Sequence, residues 1–302
     1  MVASQPIGVF DSGVGGLTVL GALHAELPHE RFIYLGDTAR LPYGTKSHDT
    51  VVRYAQQAAD ALIGRGVKAL VVACNTASSV ALPSLRERYG ELPVVGVVEP
   101  GATAALAATR SGCIAVIGTE ATVRGGAYQR AIVQRRPDAR VIALACQLFV
   151  ALAEEGWTRG EVARATAQRY LEPLFGPAPE PSGSARPDTL VLGCTHFPVL
   201  RAVIREEVGE QVSIVDSAAT TARAVHALLR ARGLLHANEA ALGAQPGEPA
   251  WSRFLATDGV PRFAAIGGRF LGRDIDLQEV ELIDLWSVGA LAGVARSADA
   301  AR

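Results

Sequence analysis

Eight short apolar runs, separated by longer Ala-, Leu- and Arg-rich segments, constrain the fold of this chain most strongly. The runs are IGVF (7–10), RFIYLG (31–36), KALVVA (68–73), PVVGVV (93–98), IAVIG (114–118), RVIALA (140–145), TLVLG (189–193) and VSIVD (212–216). They are apolar throughout instead of alternating with polar residues, which is typical of strands buried on both faces. Segments such as 49–63, 159–172 and 219–232 have the helical period and would cover them. The sequence therefore predicts an α/β fold with mostly parallel sheets.

The order of these runs repeats along the chain. IGVFDSGVGG (7–16) resembles IAVIGTEATVRGG (114–126), and KALVVACNTAS (68–78) lines up with DTLVLGCTHFP (188–198). The second and fourth runs of each half align more loosely, and parallel sheets share such features without any duplication. We nevertheless predict a duplicated unit that forms two pseudo-symmetric α/β lobes. The expected lobes are residues 1–98 together with 215–302, and residues 99–214.

The remaining segments interrupt this pattern. Two Pro- and Gly-rich stretches, 176–188 and 236–250, are expected to be surface loops. FLATD (254–258) precedes a Gly- and Arg-rich stretch that we interpret as a turn, and residues 274–285 are predicted to form a late strand. The Ala-rich tail from Ser287 is expected to extend as a helix or to fray.

Composition excludes several classes of protein. Hydrophobic residues make up 49% of the 302 residues and the formal net charge is −1. Such a chain is too apolar to be disordered, and too near neutral to bind nucleic acid or membrane surfaces through charge. Four cysteines do not make a disulfide scaffold, and the N-terminus lacks the pattern of a signal peptide. We expect a cytoplasmic protein that binds neither nucleic acid nor membrane.

A glycine-rich turn follows the first predicted strand, as Asp11-Ser12-Gly13-Val14-Gly15-Gly16. Such a turn before a helix presents free backbone N–H groups to an anion. Its spacing is neither that of a dinucleotide-binding loop nor that of a P-loop, and Asp11 would repel a phosphate. A carboxylate or an amino acid therefore suits it better than a nucleotide. An ordinary helix cap with glycines for close packing explains the same residues equally well.

The two cysteines that end matching strands are the most informative residues. Cys74-Asn75-Thr76 follows the third strand, and Cys194-Thr195-His196 follows the seventh. In a duplicated fold these thiols occupy equivalent places and could face each other across one cleft. Cys113 and Cys146 have no matched polar neighbours, so we interpret them as packing residues. The spacings do not predict a metal site, because the thiols lack suitably spaced co-ligands.

Two equivalent thiols on opposite sides of a cleft suit one kind of reaction. A racemase moves a proton between the two faces of a carbon, so it needs a base on one face and an acid on the other. A thiol has a reference pKa of about 8.5, so modest tuning would leave one cysteine ionised and the other protonated at neutral pH. The two motifs therefore indicate a racemase with one thiol on each face of the reacting carbon.

These motifs also resemble a known family. DSGVGGLTVL, YLGDTARLPYG, ACNTAS, VVEPG, LGCTHFPVL, VDSA and FLATD occur here in the order typical of the aspartate/glutamate racemase family, from Ile7 to about Leu285. The resemblance implies an isomerase that interconverts L- and D-glutamate without a cofactor or a metal, and that supplies D-glutamate for peptidoglycan. It also implies a homodimer whose ligand is a small molecule.

The resemblance assigns roles residue by residue. It implies that Cys74 and Cys194 are the acid/base pair, that Asp11 supports Cys74, and that His196 and Glu154 support Cys194. The residues implied in substrate binding are Asp11, Ser12, Tyr43, Gly44, Asn75, Thr76, Thr119, Thr122, Thr195 and His196.

Several alternatives stay open at this point. Glu155 could replace Glu154, Tyr43 could be a packing aromatic, and His196 could have no catalytic role. A Schiff-base enzyme would have to use Lys46 or Lys68, the only lysines, and Lys68 lies at the wrong end of its strand. The substrate could be aspartate or another small acid. The chain could also be a non-catalytic binding or inhibitor protein on this scaffold.

Overall fold

The computed structural model describes residues 1–176, 186–237 and 252–285. The strands in these ranges are β1 (Ile7–Asp11), β2 (Phe32–Gly36), β3 (Ala69–Val72), β4 (Val94–Gly96), β5 (Cys113–Gly118), β6 (Arg140–Ala145), β7 (Thr189–Gly193), β8 (Ser213–Asp216), β9 (Ser252–Ala256) and β10 (Val280–Leu282).

The α helices in the same ranges are α1 (Leu17–Glu26), α2 (His48–Ile63), α3 (Asn75–Val80), α4 (Leu82–Tyr89), α5 (Val98–Ala108), α6 (Glu120–Gly125), α7 (Ala127–Arg135), α8 (Leu148–Glu155), α9 (Glu161–Phe175), α10 (Arg201–Val208), α11 (Ser217–Ala231) and α12 (Val260–Leu271). Short 3-10 helices span Thr38–Arg40, Tyr43–Thr45, Phe197–Leu200 and Leu277–Glu279.

The strands form two parallel sheets. The six-stranded sheet has the order β10-β9-β2-β1-β3-β4, and the four-stranded sheet has the order β6-β5-β7-β8. Every strand pair is parallel. The central strands β1, β3, β5 and β7 are buried along their whole length, because helices cover both faces of each sheet. The predicted α/β class is confirmed.

The duplication is visible in the strand orders. Within the six-stranded sheet the order β2-β1-β3-β4 matches the order β6-β5-β7-β8 of the other sheet. The first to fourth strands of each half therefore have the same spatial arrangement. The six-stranded sheet extends beyond this common unit through β9 and β10. The lobe boundaries at 98/99 and 214/215 stay a prediction; β8, which straddles the second, pairs with β7 in the four-stranded sheet.

One segment differs clearly from the prediction. The Gly- and Arg-rich stretch after FLATD is the helix α12 and not a turn. Its buried residues Phe263, Ile266 and Phe270 recur at helical spacing on one face. Gly267 is also on the buried side, where an added Cβ would lie 2.7 Å from Leu17 Cδ1 of α1. This glycine allows close packing of two helices, which explains why it misled the sequence interpretation.

The late part of the chain departs from prediction in smaller ways. The strand predicted over 274–285 is reduced to β10, since a 3-10 helix at Leu277–Glu279 precedes it. Most of the two expected surface loops, and the tail from Ser287, lie outside the described residues. Among the helices described, none is long and apolar enough to cross a bilayer.

Candidate active site

Both motif cysteines line one cavity of about 320 Å³ between the two sheets. They reach it because Cys74 follows β3 and Cys194 follows β7, the equivalent strands of the two halves. The cavity is lined by Ser12, Leu41, Pro42, Tyr43, Gly44, Cys74, Asn75, Thr76, Thr119, Gln147, Val150, Ala151, Glu154, Cys194, Thr195 and His196. Of the predicted site residues, Asp11 and Thr122 stand behind this wall and the others form part of it.

Cys74 is the N-cap residue of α3. Its Sγ accepts a hydrogen bond from the Ala77 backbone N–H at 3.5 Å and lies 3.6 Å from Ser12 Oγ, to which it donates. Burial raises the pKa of Cys74 to about 12, and the negative charge of Asp11 adds to that increase. This shift favours the protonated thiol of Cys74 at neutral pH.

Asp11 lies at the end of β1, beneath the glycine-rich turn. Its Oδ2 accepts a hydrogen bond from the Gly13 backbone N–H at 3.0 Å, whereas its buried Oδ1 has no hydrogen-bond partner. Burial raises the pKa of Asp11, although the positive charge of His196 and three backbone N–H groups act in the opposite direction. This carboxyl group is thus placed to influence both Cys74 and His196 through charge.

His196 connects the second thiol to a carboxylate. Its Nδ1 lies 3.8 Å from Cys194 Sγ, and its Nε2 lies 3.2 Å from Glu154 Oε1. Burial alone would lower the pKa of His196, but the hydrogen bonds with Cys194 and Glu154 outweigh it and raise that pKa to about 10. Glu154, and not the exposed Glu155, is therefore the carboxylate that contacts His196.

Glu154 is in turn held by the helix that the sequence interpretation missed. Arg262 Nη2 of α12 lies 3.3 Å from Glu154 Oε2, and Arg269 Nη1 donates to the Glu154 backbone oxygen at 2.8 Å. The hydrogen bond from His196 lowers the pKa of Glu154 most, and Arg262 contributes in the same direction. Recognising a helix at 260–271, with its outward arginines, could have revealed these contacts.

The glycine-rich turn packs against the second cysteine motif. A Cβ added to Gly15 would lie 2.5 Å from the His196 ring and 2.5 Å from Thr195 Oγ1. Thr18 Oγ1, one turn into α1, also donates to the Thr195 backbone oxygen at 3.0 Å. Gly15 therefore allows the two halves to approach closely, while backbone N–H groups of the same turn are directed at Asp11.

Three threonine hydroxyls from both halves meet at one end of the cavity. Thr76 Oγ1 lies 3.2 Å from Thr119 Oγ1 and 3.4 Å from Thr122 Oγ1, and the last two are 3.0 Å apart. Gly44 lies beside them, since a Cβ there would be 3.3 Å from Thr119 Cβ. Hydroxyl groups in this arrangement can donate hydrogen bonds to a carboxylate.

Tyr43 contributes its ring to the cavity wall while its hydroxyl is engaged elsewhere. The hydroxyl donates to Asp37 Oδ2, and Arg40 Nε donates to the same oxygen at 2.7 Å. Burial, together with the charge of Asp37, raises the pKa of Tyr43 well above its usual value. The phenol proton is therefore engaged with Asp37, while the ring lines the cavity, and the predicted role of Tyr43 in substrate binding stays a prediction.

The sequence analysis did not assign several residues of the site. Gln147, Val150 and Ala151 of the loop and helix before Glu154 line the cavity. Tyr128 donates to Asn75 Oδ1 at 2.7 Å from below the wall. Lone aromatic and aliphatic residues carry no motif, so only the assembled fold shows these contacts.

The other candidate chemistries find no support at this cavity. Lys68 is buried and its Nζ lies 2.5 Å from Glu30 Oε2, at the amino end of β3. Lys46 does not line the cavity. Across residues 1–176, 186–237 and 252–285, no group of three or more His, Cys, Asp or Glu side chains is placed to hold a metal ion. A larger cavity of about 730 Å³, lined by residues of α4, α5 and α11, contains no cysteine or histidine.

Comparisons with known proteins agree with this geometry. A glutamate racemase of Geobacter metallireducens is 50% identical over 279 residues, which cover 92% of this chain and 97% of that protein. A Francisella tularensis glutamate racemase structure in complex with D-glutamate has a TM-score of 0.81 at 33% identity, covering 95% of this chain and all of that one. The Thermus thermophilus enzyme has a TM-score of 0.79 at 43% identity, covering 94% and 99%.

These relatives confirm the expected enzyme class, an amino-acid racemase and hence an isomerase. The profile of the Asp/Glu/Hydantoin racemase family matches residues 18–225, a range that includes both cysteine motifs. From the shared fold, the paired thiols and this match, the chain belongs to the Asp/Glu/Hydantoin racemase family.

Proposed function

We propose that this protein interconverts L- and D-glutamate by moving the α-proton between two cysteines, without a cofactor. The observation that carries the proposal is the pair of thiols, Cys74 and Cys194, on equivalent strand ends at one cavity. The substrate is taken from relatives named glutamate racemase that match over more than nine tenths of the chain. Their D-glutamate product would serve peptidoglycan synthesis, and we expect the enzyme to act in the cytoplasm as a homodimer.

Glutamate would be held by its two carboxylates. The Thr76, Thr119 and Thr122 hydroxyls would receive one of them, together with the backbone N–H groups near Gly44. The Asn75 amide and the Thr195 side chain, which lie near the two thiols, would receive the other. A cavity of about 320 Å³ is at the small end of the range for ligand sites.

The proton transfer would use one thiol on each face of the α-carbon. The thiolate on one face takes the α-proton, and the electron pair of the broken C–H bond delocalises into the α-carboxylate. The thiol on the other face then donates its proton to the carbon, which forms the new C–H bond and inverts the configuration. Exchange with solvent afterwards restores the starting protonation of both sulfurs.

The two thiols would be served by different partners. Asp11 lies on the Cys74 side, and the His196–Glu154 pair lies on the Cys194 side. Because the pKa of His196 is raised to about 10, its imidazolium can exchange a proton with Cys194 across neutral pH. Glu154 would keep the imidazolium oriented, in the way that a carboxylate orients histidine in many hydrolases.

Circular dichroism of L- or D-glutamate, incubated with protein free of metal and cofactor, tests the proposal. We expect either enantiomer to relax to an equal mixture, with L-aspartate converted much more slowly. Cys74→Ala and Cys194→Ala should each lower kcat/KM by at least about 10²-fold, the usual range for losing a general acid or base.

Cys113→Ala is the matched control, because Cys113 is equally buried but lies at the amino end of β5. It should stay within about 2-fold of the wild type, as expected for a packing residue away from the chemistry. Full racemisation by either cavity variant would rule out the two-cysteine proposal, and preference for aspartate would change the substrate.

A further inference from the structure

Tyr128 is a fully buried phenol to which the steps above assign no role. It belongs to α7, and its ring fits between two glycines. A Cβ added to Gly101 would lie 3.1 Å from Tyr128 Cε1, and one added to Gly193 would lie 3.2 Å from Cε2. Gly193 directly precedes Cys194, so the ring lies immediately beneath the second cysteine motif.

The phenol oxygen reaches the first cysteine motif as well. Tyr128 Oη donates to Asn75 Oδ1 at 2.7 Å, and Asn75 directly follows Cys74. Burial raises the pKa of Tyr128, so the hydroxyl keeps its proton and can serve as a donor at all pH values of interest. This hydrogen bond therefore connects the two halves of the fold. It joins α7, which lies between β5 and β6, to α3, which follows β3.

The other end of the Asn75 side chain has no partner in the protein. Asn75 lines the cavity and is only 3% exposed, yet its buried Nδ2 makes no hydrogen bond. A buried amide N–H₂ without a partner is costly, which indicates that a ligand satisfies it. If the amide were turned over, Nδ2 would point toward the Tyr128 hydroxyl and an acceptor oxygen would replace the unpartnered N–H₂ donor, which would disfavour a carboxylate.

We infer that Tyr128 is a positioning residue that fixes the Asn75 amide so that Nδ2 donates to a carboxylate of the bound amino acid. The inference rests on the proposed function, since it takes glutamate as the ligand. Tyr128 does not line the cavity, so its effect on the substrate would pass through Asn75, while its other hydrogen-bond partner, Ser217, also lies outside the cavity lining. It also links the carboxylate contact to the packing between the two halves, because its ring rests against Gly101 and Gly193.

Tyr128→Phe tests the inference, since it removes the hydroxyl and keeps the ring. We expect the KM for both glutamate enantiomers to rise about 3- to 10-fold, the worth of one neutral hydrogen bond. The kcat should change by less than about 2-fold, because the thiols do not move. The Asn75 hydrogen bond to the carboxylate is made equally in the bound substrate and in the transition state, so weakening it affects KM and not kcat. A merely structural role would lower the melting temperature and leave KM unchanged.

A double-mutant cycle identifies the partner. Asn75→Ala should raise KM by more than Tyr128→Phe, and the double variant should be no worse than Asn75→Ala alone. Tyr89→Phe is the control, because Tyr89 Oη hydrogen-bonds Asp60 Oδ1 at 2.7 Å, away from the cavity. Tyr89→Phe alone should have the KM of the wild type, and Tyr89→Phe combined with Asn75→Ala should have the KM of Asn75→Ala alone.

Each outcome decides the matter. An active Tyr128→Phe enzyme with unchanged KM, or an additive cycle, overturns the inference and leaves the proposed function intact. Wild-type protein that neither binds nor racemises glutamate overturns both. If Tyr128→Phe does not fold, a crystal structure of the wild type with D-glutamate replaces it. Nδ2 within hydrogen-bond distance of a substrate carboxylate supports the inference, and an Asn75 without ligand contact overturns it.

Discussion

At the scale of single residues, the site depends on how burial and charge set the protonation of a few side chains. Burial raises the pKa of Cys74 to about 12, while hydrogen bonds from two sides raise that of His196 to about 10. The two halves of the site thus differ electrostatically, although their strands are equivalent. Unequal environments for two similar groups are what an acid/base pair requires.

Glu154→Gln should shift the alkaline limb of the pH profile of kcat/KM to lower pH. The Glu154 hydrogen bond is one of the contributions that raise the pKa of His196, so removing its charge lets that pKa fall below about 10. The imidazolium is then lost at a lower pH as the pH rises. The profile of kcat/KM measures this, because it reports ionisations of the free enzyme.

Glu155→Gln provides the matched control for that shift. Glu155 is the adjacent carboxylate in sequence, but its side chain is exposed and only Glu154 contacts His196. The kcat/KM profile of Glu155→Gln should have the same alkaline limb as that of the wild type. An equal shift in both variants would show that His196 responds to general charge and not to the Glu154 contact.

At the scale of elements, turns and helix ends bring the reactive groups together. β1 and β3 place Asp11 and Cys74 at neighbouring strand ends, and the glycine-rich turn carries Gly15 to within contact of His196. Cys194 is followed by a 3-10 helix that begins after His196, whereas Cys74 caps the α helix α3. The loops after equivalent strands are therefore not identical, and the second motif presents a histidine where the first continues as a helix.

Gly15→Ala should greatly reduce activity although the residue has no functional group. The new Cβ would lie 2.5 Å from the His196 ring and from Thr195 Oγ1, so one of these must move. We expect kcat/KM to fall by about 10²-fold, since small misplacements of catalytic groups have effects of that size. Steady-state kinetics in both directions measures the loss.

Gly125→Ala is the control for this substitution. Gly125 ends α6, and an added Cβ there meets nothing within 4 Å. Activity should be unchanged, and the helix should gain up to about 1 kcal/mol of stability from the lower backbone entropy of alanine. Unchanged activity in Gly15→Ala would contradict the close packing of the turn on His196.

The elements also show how far sequence reasoning reaches. Uninterrupted apolar runs predicted the eight strands of the duplicated unit, because burial on both faces leaves a clear pattern. The helix α12 was missed because Gly267 and Gly268 suggest a turn, while the reason for Gly267 is contact with Leu17 of a distant helix. The choice of Glu154, the role of Arg262 and the Tyr128–Asn75 contact likewise depend on long-range packing that no local pattern records.

At the scale of the whole molecule, the candidate site and a buried ion pair lie at opposite ends of the strands. The thiols lie at the carboxyl ends, where parallel sheets place ligands. At the amino ends, Lys68 Nζ is buried 2.5 Å from Glu30 Oε2 and donates to the Ala3 backbone oxygen. Glu30 Oε1 also accepts from the His236 backbone N–H at 2.8 Å, so this ion pair joins four segments that are distant in sequence, at Ala3, Glu30, Lys68 and His236.

Lys68→Met should therefore lower stability and spare activity. Removing one partner of a buried ion pair leaves the other charge unpaired, at a cost of about 3–5 kcal/mol. Urea unfolding should show that loss, while kcat/KM of the folded enzyme stays the same. Lys46→Met, at a partly exposed loop lysine, should leave the unfolding midpoint unchanged, and an equal effect of both substitutions would refute this role for the ion pair.

The most direct test of the two-cysteine account is the isotope content of both enantiomers when L-glutamate is converted in D₂O. Samples are taken early in the reaction, the enantiomers are separated, and mass spectrometry measures deuterium at the α-carbon. With one thiol on each face, new D-glutamate should carry deuterium from solvent, while the remaining L-glutamate keeps its protium. Product that retains the substrate's own proton, or equal deuterium in both enantiomers from the start, would show a single base and contradict the account.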